Sequence, residues 1–256
     1  MPTLYTQKSS NIRKTWILLT FFLLIVIGLG YFFSVYFQSF GILIFAVFFS
    51  VLMSVTSYWY SDKIVLKMAG ARPITKENAR ELYNIIENLT ITAGLPIPKI
   101  YIISDSSPNA FATGRNPQKA VVAVTTGLME ILDRSELEGV IAHELSHIGN
   151  WDMLISTMAV ILVGFVSLTS DFFLRSFFWG RRGGNEDRHG NNALILLLAI
   201  LFAILAPLAA VLIQLAISRK REFLADASGA LLTRYPDGLA NALRKIAKAP
   251  AVKSAS

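Results

Sequence analysis

The chain has 256 residues, of which 54% are hydrophobic and only 16% charged. Soluble domains carry about 25% charged residues, so much of this surface does not face water and a membrane protein is the first class to consider. Cysteine is absent from the chain, which excludes disulfides, thiolate metal sites and a thiol nucleophile. The net charge of +7 comes from Lys and Arg clustered beside apolar runs, the pattern of membrane flanks and not of a nucleic-acid surface.

Four stretches are long and apolar enough to cross a bilayer, which takes roughly 20 residues. They are 16–37, 40–60, 153–173 and 193–217. The first follows Lys8, Arg13 and Lys14, but it is too long for a signal peptide and lacks a small-residue cleavage site. It is expected to remain as a span. Only Gln38 and Ser39 separate it from the second, so the two predict a helical hairpin over 1–60, ending in the interfacial aromatics Tyr58, Trp59 and Tyr60. Lys63, Lys67 and Arg72 follow, and basic residues at both open ends place both ends in the cytoplasm. A cytosolic region then runs over 61–150, a second hydrophobic hairpin over 151–217 and a cytosolic helical region over 218–256. Pro207 and Gln214 interrupt the last hydrophobic stretch, and Arg175, Arg181, Arg182 and Arg188 bias its preceding loop toward the cytoplasm. Two full crossings would put that loop outside, so the sequence leaves the depth of this pair open.

Within 61–150 the periodicity predicts a helix over 76–93, with Thr75 as its cap and Gly94 as its stop. Runs 100–103 and 120–125 read as strands around a turn-rich link, 104–118. Ser135 and Glu138 have capping-box spacing ahead of a helix carrying Leu137, Val140, Ile141 and Leu145. The fold class expected is a membrane protein, mainly α, with up to four transmembrane helices and a cytosolic α+β domain containing a small β-sheet.

That last helix carries His143-Glu144-Leu145-Ser146-His147, two of the three His in the chain. Residues four apart share one helical face, so both imidazoles can bind a single zinc ion. Glu144 stands beside them as the base for an attacking water. The apolar neighbours Val140, Ile141, Ala142 and Ile148 make this a buried helix and not a solvated face.

A catalytic zinc takes three protein ligands. The extended spacing H-E-x-x-H-x-x-G-x-x-H fails, because its last His would fall at Met153. A carboxylate is expected instead. Glu186 lies in a charged loop, and His189 reads as a solvated residue of a Gly/Arg-rich segment. Glu222 and Asp226 lie four apart, so one can ligate the metal while the other accepts from a ligand imidazole.

At this point the sequence resembles the HtpX family of membrane metalloproteases, gluzincins related to the CAAX prenyl proteases. The likeness rests on the N-terminal hairpin, Asn109-Ala110-Phe111-Ala112-Thr113-Gly114, the H-E-x-x-H helix, Arg221-Glu222-Phe223 with Ala225-Asp226, and Tyr235-Pro236-Asp237-Gly238-Leu239. The resemblance implies a zincin-like protease domain with Glu222 as third ligand and Asp226 as the outer acid. It also implies that Asn109, Ala110 and Phe111 lie on a substrate-binding edge beside the site. The family often continues past the position of Lys248, which implies a shortened C-terminus here. The prenyl proteases have more spans, so their substrate is not carried over.

The expected chemistry is peptide hydrolysis with one zinc ion. Arg219, Arg221, Tyr101 and Tyr235 are candidate donors to the oxyanion. By resemblance the partners are misfolded or damaged membrane proteins and the lipid bilayer, with no nucleic acid. The location implied is the bacterial inner membrane, with the site facing the cytoplasm. The rival readings are a membrane zinc sensor or transporter and an inactive scaffold. The first two spans carry no ionisable residue, which disfavours transport.

Overall fold

The structure, a computed structural model, describes residues 4–36, 38–164, 167, 210 and 218–249. Helices α1 (Leu4–Tyr36) and α2 (Phe40–Met68) form an antiparallel pair, and both are long and apolar enough to cross a membrane. Close packing of the pair is set by Gly30, where a Cβ would stand 2.2 Å from that of Ala46. Both helices outrun their apolar stretches. In α2 the backbone leaves helical geometry at Tyr60 (φ −119°, ψ 17°), where the expected span ends. The turns beyond Tyr60 dock on the sheet that follows, burying Leu66 against Ile103, Val121 and Ala123.

Next come β1 (Arg72–Pro73), α3 (Arg80–Ala93), β2 (Lys99–Ile103), β3 (Ala110–Thr113), a 3₁₀ turn, β4 (Val121–Thr125), α4 (Thr126–Ile131) and α5 (Arg134–Gly149). The sheet order is β1-β2-β4-β3, with β2 and β4 parallel and the other pairs antiparallel. Strand β4 is buried at every position, which explains its unbroken apolar run. Val122 and Val124 face the main core with α3 and α5, while Val121 and Ala123 face the end of α2.

Three expectations are corrected. The helix over 76–93 begins only at Arg80, because Thr75 accepts from Asn78 and Ala79 in a turn and Ala79 is not helical. Its stop at Gly94 holds, with φ 65° in the left-handed region that favours glycine. The capping box of α5 is Asp133 with Glu136, two residues before the expected frame, and the Ser135 hydroxyl donates to Asp133. The link 104–118 is not all turn, since β3 lies within it.

Beyond α5 the chain turns by 89° into α6 (Asp152–Gly164). Its residues Leu154, Met158, Ala159 and Leu162 pack against Leu18, Leu19 and Phe22 of α1. This helix is the start of the expected stretch 153–173. The rest of that stretch apart from residue 167, and 193–217 apart from residue 210, lie outside the described residues. So do Glu186 and His189.

Helices α7 (Arg219–Thr233) and α8 (Pro236–Lys248) close over α5. Tyr235-Pro236-Asp237-Gly238-Leu239 is the start of α8: Pro236 takes the first turn and Leu239 enters the core. Lys245 pairs with the buried Glu136 at 2.5 Å. A Cβ at Gly139 of α5 would stand 2.6 Å from the backbone N of Leu239 and 2.9 Å from its Cα. Neither atom can swing aside, so Gly139→Ala should cost about 1–3 kcal/mol of stability. For a chain of this size Tm falls roughly 2–4 °C per kcal/mol, which a thermal scan resolves. An unchanged Tm would mean that α8 does not rest on this glycine.

Candidate active site

The H-E-x-x-H residues lie in the C-terminal half of α5, whose buried face is Leu137, Val140, Ile141, Ala142, Leu145 and Ile148. Helix α7 approaches His143 closely because position 229 is glycine: a Cβ there would stand 3.0 Å from the His143 backbone N. Glu222 and Asp226 precede Gly229 by seven and three residues, so all three share one face of α7.

This packing gathers three donor atoms. The Nε2 atoms of His143 and His147 are 3.2 Å apart. Glu222 Oε2 lies 3.5 Å from the first and 3.7 Å from the second. A tetrahedral ion with bonds of about 2.0–2.1 Å sets its ligand atoms roughly 3.3–3.4 Å apart. The three atoms therefore outline one face of such a tetrahedron, and His143, His147 and Glu222 are the described group able to hold a metal ion.

Each imidazole has a carboxylate at its far nitrogen. His147 Nδ1 lies 3.3 Å from Asp152 Oδ2. His143 Nδ1 lies 2.9 Å from Asp226 Oδ1, an ion-pair distance without the alignment of a hydrogen bond. An acid in that position favours the proton on Nδ1 and leaves Nε2 free for a metal. Asp152 was missed in the sequence. It is the one acid between Glu144 and residue 153, but only the corner after α5 turns it back toward His147.

The field at this cluster favours positive charge. Contacts with His143 and His147 hold the Glu222 carboxyl well below the usual carboxylate range, against a smaller opposing effect of burial. Burial works against a charged His147, yet Asp152 and Glu222 outweigh it and push its pKa up to about 10. His143 is raised in the same sense: burial opposes, while Glu222, Glu144 and Asp226 prevail. Acids that draw protons to these rings also draw a metal cation. Glu144 is half-buried, and its desolvation raises its pKa, moderated by the two His and by the Ala112 N–H.

A model of peptidase family M48 matches residues 76–254. The chain belongs to peptidase family M48, in its HtpX group. A protease HtpX homolog of Thermoanaerobacter pseudethanolicus is 46% identical over 248 residues, covering 95% of this chain and 83% of that one. The homolog of Dictyoglomus thermophilum is 46% identical over 250 residues, covering 96% and 80%. That of Pyrococcus furiosus is 48% identical over 236 residues, covering 92% and 78%. With two helices long and apolar enough to cross a membrane, this M48 chain is a membrane-anchored metalloprotease.

The remaining residues singled out in this M48 sequence are distributed as follows. Strand β3 is the edge of the sheet beyond β4. The Asn109 carbonyl accepts from Thr125 N–H, so Asn109 faces β4, and alternation turns Phe111 the same way. The backbone groups of Ala110 and Ala112 then face the free edge. Ala112 N–H confirms this by donating to Glu144 Oε2 at 2.9 Å. Of the expected trio only Ala110 presents its backbone to that edge, and Ala112 was missed. Phe111 packs beneath the sheet with Ala123. Asn109 and Ala110 line a cavity of about 210 Å³ with His143 and Glu144, walled by Leu128, Val140, Leu239 and Leu243. Arg221 is 7% exposed and interacts electrostatically with Asp152 and Glu222, whereas Tyr235 is 49% exposed at the start of α8. Arg219 is exposed at the first residue of α7, and Tyr101 lies within β2.

Proposed function

We propose that this M48 protease is a zinc-dependent endopeptidase that cuts misfolded or damaged membrane proteins at the cytoplasmic face of a bacterial inner membrane. The observation that carries the zinc reading is the donor triangle of His143, His147 and Glu222, whose edges of 3.2, 3.5 and 3.7 Å match a small tetrahedral ion. Two imidazoles and a carboxylate favour zinc among the available metals. Asp226 acts behind His143 as an outer acid.

When bound, the zinc ion polarises the scissile carbonyl. The chain's own groups do the rest. Glu144, half-buried beside the ligands, takes a proton from the attacking water and carries it to the leaving amine. The Ala112 N–H fixes one oxygen of that carboxylate, so the other is the proton carrier. An extended substrate pairs by strand addition with the Ala110 N–H and carbonyl and the Ala112 carbonyl, the backbone groups left free on that edge. One substrate side chain beside the scissile bond enters the apolar cavity next to Glu144. Arg219, Arg221 and Tyr235 are the donors proposed for the oxyanion. Basic flanks at both ends of the α1–α2 hairpin support a cytoplasmic site, and an anchored site meets substrates presented at the bilayer.

The test is cleavage of a membrane-protein substrate panel by purified chain in liposomes, with and without a chelator. The expected result is cleavage that stops on chelation and returns with zinc. Stoichiometric zinc without any cleavage would favour the sensor or transporter reading.

A further inference from the structure

Asn11 lies in α1, near the start of the first apolar helix, and is 1% exposed. A polar side chain buried this completely must spend its hydrogen-bonding groups on partners. Its Nδ2 donates to the Asn150 carbonyl at 3.2 Å and to Asp152 Oδ1 at 2.5 Å. An amide nitrogen has two hydrogens, and both are used here. The other oxygen of the same carboxylate, Asp152 Oδ2, faces His147 Nδ1. A continuous contact therefore runs from α1 through Asp152 to His147.

The geometry of the corner explains why an outside partner is needed. Between α5 and α6, Trp151 has φ 61°, a region that side chains other than glycine rarely adopt. The chain turns 89° here, and Asn150 and Asp152 are each 2% exposed. A buried carboxylate that is not held by hydrogen bonds is costly and free to rotate away. Arg221 adds a favourable charge near Asp152, and Asn11 donates to Oδ1 while also holding the corner's backbone.

We propose that Asn11 is a positioning residue for the metal site, setting the orientation of Asp152 and through it the His147 imidazole. The first membrane helix thereby supplies part of the outer support of the metal centre and is more than an anchor. The inference rests on the metal reading above.

The test uses the full chain in detergent, with zinc affinity read by chelator competition, Tm by thermal scan, and kcat and KM on a peptide. Asn11→Leu keeps the volume and removes both donors. It is expected to weaken zinc binding about tenfold, toward the low end of the roughly 10–100-fold loss seen when an outer partner is removed. Asn11→Ser gives the same loss with a smaller disturbance, should the leucine variant not fold. Asn11→Gln, which keeps both donors on a longer arm, recovers part of the affinity. Thr15→Val removes a buried hydroxyl one turn on that donates only to the Asn11 carbonyl, and should leave zinc affinity unchanged. A merely structural role is separated by a double-mutant cycle: with Asp152→Ala already in place, changing Asn11 should cost no further affinity. Parent-level zinc affinity in Asn11→Leu and Asn11→Ser, or losses that multiply in the double variant, would overturn the proposal. If the parent chain binds no zinc, the metal reading fails instead.

Discussion

Glu144→Gln should bind zinc as the parent does and cleave peptide about 10³-fold more slowly, within the roughly 10²–10⁴-fold range of general acid–base catalysis. The substitution keeps the shape of the side chain and an oxygen that can accept from Ala112 N–H. It leaves His143, His147 and Glu222 in place, because Glu144 is outside the donor triangle. What it removes is a carboxylate able to take up a proton and release it again. The pair of measurements is decisive only together: metal content by elemental analysis and turnover of a fluorogenic peptide. Full metal with full activity would show that another group moves the proton. Lost metal would place Glu144 in the support of the site and not in its chemistry.

How far the sequence led depends on the range of each interaction. The pairing of His143 with His147 is set by one helical turn, so spacing alone shows it. Gly94 is similarly local, since a left-handed residue at a helix end calls for glycine. The cap of α5 was local but ambiguous, because Asp133 with Glu136 and Ser135 with Glu138 are overlapping frames of one pattern. The charged side chain took the role, and the Ser135 hydroxyl became its donor. Strand β3 was hidden for a different reason. Its four residues sit among Pro, Asn and Gly, and they are a strand only because β4 pairs with them. Ala112 as the partner of Glu144 follows from that pairing and could not be read earlier. Asp152 and Asn11 required the corner after α5 and the packing of α1 against α6, both of which are tertiary. The resemblance to HtpX proteins, by contrast, was carried by short motifs, and the family match bears it out.

Glu222→Ala is expected to weaken zinc binding by more than about 100-fold, beyond the 10–100-fold typical of losing an outer partner, because it removes a donor itself. Two edges of the donor triangle, at 3.5 and 3.7 Å, end on its Oε2. Asp226 cannot step in, since it lies one turn further along α7 and at the far nitrogen of His143. Glu222→Asp withdraws the carboxylate by one methylene and should lose most of the affinity while keeping the charge. That variant separates the ligand role from a general electrostatic one. Glu186→Ala is the matching control among the acids that follow the H-E-x-x-H helix, and it should retain parent zinc content. If Glu222→Ala keeps its metal while Glu186→Ala loses it, the third ligand is the loop acid and the donor triangle is not the metal site. If both keep it, the two imidazoles take their third partner from outside α7, and the approach of α7 at Gly229 serves packing alone.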